Sequence, residues 1–66
     1  MIDRFTVHEA LHMASFFARS VEEELCENQA VKSNPVLNML AGRAVRTLGD
    51  LYQAIGNEYP MDEEIA

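Results

Sequence analysis

Residues 34–57 read NPVLNMLAGRAVRTLGDLYQAIGN, and this stretch decides the fold. It opens on Asn34-Pro35. An asparagine side chain can accept from the free N–H groups of a first helical turn, and proline at the first helical position gives up an N–H that lacks a partner anyway. From there Leu37, Ala41, Ala44, Leu48, Leu51 and Ile55 recur at steps of 4, 3, 4, 3 and 4. Steps alternating between three and four keep apolar side chains on one seam of a helix, as bundle packing requires. Gly56-Asn57 then offers a left-handed stop. The spacing predicts a helix over residues 35–56.

Toward the N-terminus the same steps return in Val7, Leu11, Ala14, Ala18, Val21 and Leu25. Thr6, followed three residues later by Glu9, reads as a capping box in which each side chain satisfies a backbone N–H near the other. A first helix from about Val7 to about Asn28 follows. Gln29 to Ser33 is left as a connector, too short to do anything but make the helices antiparallel neighbours. Folding the hairpin sets Leu25 against Leu37, Val21 against Ala41 and Ala18 against Ala44. Ala14 then meets Leu48, Leu11 meets Leu51, and Val7 meets Ile55. The layers are small in the middle and larger at the ends.

The chain has 66 residues and one cysteine, Cys26, so no internal disulfide can help it. Chains this short seldom close a sufficient core without a disulfide, a metal or a partner. Ala10, Phe17, Leu40, Val45 and Tyr52 widen the apolar stripe beyond what one partner helix covers. The predicted fold class is therefore all-α, an antiparallel two-helix hairpin that dimerises into a four-helix bundle. The hairpin occupies residues 1–57. Residues 58–66, with Pro60 and a run of acids, are predicted to form a mobile tail.

Eleven acids against five Lys and Arg give a net charge of −6. Four of the acids, Glu58, Asp62, Glu63 and Glu64, lie in the tail. The balance disfavours general attraction to nucleic acid or anionic lipid, which draws on clustered bases. No apolar run approaches the length of a membrane span, and the N-terminus lacks a signal-peptide layout. A cytoplasmic protein is expected.

Three patterns could carry chemistry. His8-Glu9-Ala10-Leu11-His12 matches H-E-x-x-H, which on a helix places two histidines on one face where they can chelate zinc. A zinc peptidase also needs a third ligand, a substrate-aligning strand and a cleft, and the capping box already explains Glu9. Glu23-Glu24-Leu25-Cys26-Glu27 matches E-E-x-x-E and resembles half of the magnesium site of MazG-type nucleotide pyrophosphatases. The second half, E-x-x-D, has only Thr47-Leu48-Gly49-Asp50 to offer, so a solvated acidic face is the simpler reading. His12, Phe16 and Arg19 form an outward line on the first helix, a contact surface for a partner protein or for RNA bases. Gly42, Gly49 and Gly56 recur every seven residues. Inside a helix such glycines cost about 1 kcal/mol each, which asks for a reason.

Ala10-Leu11-His12-Met13-Ala14-Ser15-Phe16 with Ala18-Arg19-Ser20, and Asp50-Leu51-Tyr52 later, resemble the two helices of the Rop-type plasmid copy-number regulators. That resemblance implies a hairpin dimerising into an antiparallel four-helix bundle. It also implies RNA contact through an outward aromatic, with Phe16 and His12 at the matching positions. The chain departs from the pattern at Glu22, Glu23, Glu24 and Glu27, where the regulators would grip phosphate.

The expectation is a non-catalytic module that self-associates as a homodimer and serves as a protein-interaction or regulatory unit, without cofactor or metal. A Rop-like RNA-binding role for the outer face of helix 1 is the alternative. Metal binding through His8 and His12 stands third.

Overall fold

The structure, a computed structural model, describes residues 2–60. Helix α1 spans Arg4–Ser20, α2 spans Gln29–Lys32 and α3 spans Pro35–Glu58. A π-helical segment, Val21–Cys26, follows α1 directly. Helices α1 and α3 pack side by side and antiparallel, and α2 turns the corner between them.

The first helix starts earlier than the T-x-x-E pattern implies. Asp3 is the N-cap, extended at φ −118° and ψ 176°, and its carboxylate accepts from the Thr6 N–H at 2.8 Å. Thr6 thus lies within the first turn. The acid is the stronger cap at this end because it adds negative charge where the helix dipole is positive.

After Ser20 the backbone widens. A π-turn inserts one extra residue into the helical cycle, so positions beyond it no longer follow the α-helical count. Leu25, on the seam by that count, is 49 % exposed, while Cys26 is half-buried. The helix expected to run unbroken to Asn28 therefore changes character at Val21.

Two asparagines organise the corner. Asn28 accepts from the N–H groups of Ala30 and Val31 at 2.9 and 3.4 Å, starting α2. Asn34 accepts from Val36 and Leu37 at 3.0 and 3.1 Å, starting α3 with Pro35 in its first turn, as its sequence predicts. Between them Ser33 donates to the Gln29 carbonyl at 2.6 Å, and Lys32 pairs with Glu27 at 3.1 Å. The expected short connector is itself a capped helical turn.

At its far end α3 runs through Gly56. No glycine adopts a positive φ, so the left-handed stop does not form. Pro60 ends the helix instead. Proline disfavours helical geometry in the residue before it, and Tyr59 sits at φ −131° and ψ 76° while its N–H closes the last turn on the Ile55 carbonyl at 3.0 Å. Of the expected tail, Glu58 belongs to α3, and residues 61–66 lie outside the described residues.

The interface between the helices is narrow. Among the described residues Val7 and Ala14 are buried, at 6 % and 4 % exposure. Leu11, Ala18, Val21, Ala41, Leu48 and Ile55 are half-buried. Four expected seam residues, Leu25, Leu37, Ala44 and Leu51, are exposed within the single hairpin. On α3 the contact line runs instead through Ala41, Val45, Leu48, Tyr52 and Ile55, a shift of one position at two steps. Val45 is half-buried, and Tyr52, though 41 % exposed, lines grooves together with Leu11, Ala14 and Ser15.

Candidate functional site

Packing α1 against α3 gives the hairpin two unlike broad sides. Residues one position after each contact residue lie on one side: His8, His12, Ser15 and Arg19 on α1, and Gly42, Arg46, Gly49 and Gln53 on α3. Because the helices run antiparallel, the same rotational offset on each falls on the same side of the pair. The grooves agree with this geometry. One of about 400 Å³ is lined by His8, Leu11, His12, Ser15 and Tyr52. Another of about 200 Å³ is lined by Ala14, Ser15, Ala18, Leu48, Gly49, Tyr52 and Gln53. This side carries the polar side chains His8, His12, Arg19, Arg46 and Gln53 along grooves whose lining is mostly apolar, with glycine backbone left bare.

Residues one position before each contact residue lie on the other side. On α1 these are Ala10, Met13 and Phe17; on α3 they are Leu40, Ala44, Thr47, Leu51 and Ala54. All are exposed in the hairpin. Met13 is 39 %, Phe17 49 %, Leu40 50 % and Leu51 48 % exposed, and Leu37, at 43 %, extends the patch toward the corner. Phe17 is braced edge-on against Phe16, their centroids 5.2 Å apart. Exposed apolar side chains grouped in this way are the kind of feature that suits an interaction surface.

His12, Phe16 and Arg19 are all exposed on α1. They follow one another at helical steps, so one ligand could reach all three. Glu9 lies on the line of Phe16, two turns away, and Glu22, Glu23 and Glu24 remain exposed in the π-helical segment. The outward line is therefore interrupted by negative charge at both ends. The E-E-x-x-E acids do not converge: among the described residues no group of three or more His, Cys, Asp or Glu is placed to hold a metal ion. His8 and His12 line one groove, with no third such ligand grouped with them among the described residues.

The Asp3 carboxyl is held below its ordinary value, first by the Thr6 hydroxyl and then by the Thr6 amide, both donating to it. This group belongs to the helix cap. None of the described helices is long and apolar enough to cross a membrane.

Sequence reasoning singled out His8, His12, Arg19, Gly42 and Gly49 but missed the unity of this side, because Arg46 and Gln53 carry no individual signal and Ser15 drew none of its own. The available signal was the position after each seam residue on both helices. No protein-family model matches the chain, and no curated protein or solved structure matches it either.

Proposed function

We propose that this protein is a non-catalytic interaction module that self-associates, two hairpins meeting through the side that carries Met13, Phe17, Leu40 and Leu51. One observation carries the reading: among the described residues the hairpin buries only Val7 and Ala14, yet Met13, Phe17, Leu40 and Leu51 stand exposed on the side opposite His8, His12 and Arg46. Burying a leucine or phenylalanine contributes roughly 1.5–3 kcal/mol, and a symmetric pairing would gain it twice for every residue on the patch. The result would be a four-helix bundle, with the exposed seam residues Leu37, Ala44 and Leu51 joining its core. A second copy is the economical partner because the patch is itself flat, apolar and two helices wide. The regulatory or scaffolding role would then belong to surfaces the bundle leaves outside.

Sedimentation equilibrium on the full chain tests this. The expected mass is twice 7.4 kDa. Leu40→Glu and Leu51→Glu should each shift it to a monomer, whereas Arg46→Glu on the grooved side should leave the dimer intact. A chain monomeric at high concentration, or a dimer that tolerates both leucine changes, would overturn the reading.

A further inference from the structure

We propose that His8 and His12 form a two-point chelating site for a late first-row divalent metal ion, Cu²⁺ most tightly and Zn²⁺ next. Side chains four apart in an α-helix stand one above the other, about 5–6 Å between Cβ atoms, and two imidazoles at that spacing can share one ion. The spacing holds here because α1 is regular from Arg4 to Ser20 and the π-turn begins well beyond the pair. Both histidines line the same groove of about 400 Å³, beside Ser15 and Tyr52. Both are exposed, and among the described residues no hydrogen bond or ion pair holds either imidazole. A metal therefore displaces nothing to reach them.

The surroundings decide the kind of site. Glu9 lies toward the outward line of Phe16, not toward the groove, so the H-E-x-x-H match supplies two ligands and no base. With no third His, Cys, Asp or Glu converging among the described residues, water fills the remaining coordination positions. Structural zinc sites take four protein ligands. Cu²⁺ heads the divalent series for nitrogen ligands and accepts a tetragonal set of nitrogens and waters, so it is favoured here. The site opens on the grooved side, away from the apolar patch, and does not depend on dimerisation.

Titrating the untagged full chain with Cu²⁺ alone and with Zn²⁺ alone, followed by calorimetry and by the visible copper absorption, tests the site. One saturable ion per chain is expected, with Cu²⁺ the tighter. His8→Ala and His12→Ala should each weaken Cu²⁺ binding at least roughly tenfold, while circular dichroism shows the helices retained. The double variant Glu9→His/His12→Ala keeps two histidines but sets them side by side in sequence, and it should bind as weakly as His12→Ala. No saturable binding, affinity unchanged in either single variant, or full affinity in the double variant would each overturn the proposal.

Discussion

At the Asp3 carboxylate, one short hydrogen bond from the Thr6 amide and another from the Thr6 hydroxyl stabilise the charged form. The folded carboxyl is thereby lowered from its ordinary value of 3.8. A group whose folded value is lowered contributes stability that is present above the unfolded value and lost as pH falls through the folded one. Asp3→Ala should therefore lower the melting temperature at neutral pH, and its gap from the parent should close in the acid range below the unfolded carboxyl value. Asp3→Asn keeps an accepting oxygen and should melt close to the parent at neutral pH, without that acid-limb contribution. Thermal melts by circular dichroism across this range check both. The local sequence held two rival caps, Asp3 with Thr6 and Thr6 with Glu9; the extra turn of helix and the favourable charge decide for the first.

At the scale of the element, α3 is a regular helix of 24 residues that carries Gly42 and Gly49 in its interior. A Cβ added at either would meet nothing within 4 Å. The hairpin therefore does not require them, and Gly42→Ala and Gly49→Ala should each stabilise it by about 1 kcal/mol. Urea unfolding measures this. A loss of stability instead would mean that something outside the hairpin packs on that line. The π-helical segment shows a different limit of pattern reading. Val21 to Leu25 continues the seam by count, but one extra residue in the turn leaves Leu25 exposed and Cys26 half-buried. Periodicity assumes an unchanged turn, so a wider one moves every later residue off its face.

For the whole molecule, size and shape act together. Two helices side by side make a layer about one helix thick, and the Cα extents of 48 × 21 × 15 Å reflect this. Such a layer has no interior, which is why Val7 and Ala14 are the buried apolar residues among those described. Pairing two layers through the Phe17 and Leu40 side would create an interior. Folding and association would then be one event, and the melting temperature should rise with protein concentration, by roughly 3–6 °C for each tenfold increase. Differential scanning calorimetry at several concentrations reads this directly. A concentration-independent melt would mean that the hairpin is stable alone.

By itself the sequence determined the helical class, the Asn34-Pro35 start of α3, the antiparallel hairpin and the outward placement of Phe16. Each rests on interactions within about one helical turn, or on a periodicity counted along an unbroken helix. Only the tertiary structure decided which edge of each apolar stripe faces the other helix. Val45 is half-buried and Tyr52 lines the groove beside α1, where Ala44 and Leu51 have equal claim by spacing, because each stripe is wider than one partner can cover. The rotation of α3 against α1 is settled by packing, with Ala41, Val45, Leu48 and Ile55 half-buried along the contact and Tyr52 bordering the groove beside Ala14 and Ala18. That rotation sends Ala44 and Leu51 to the apolar side with Phe17 and leaves His8 and His12 together over the groove.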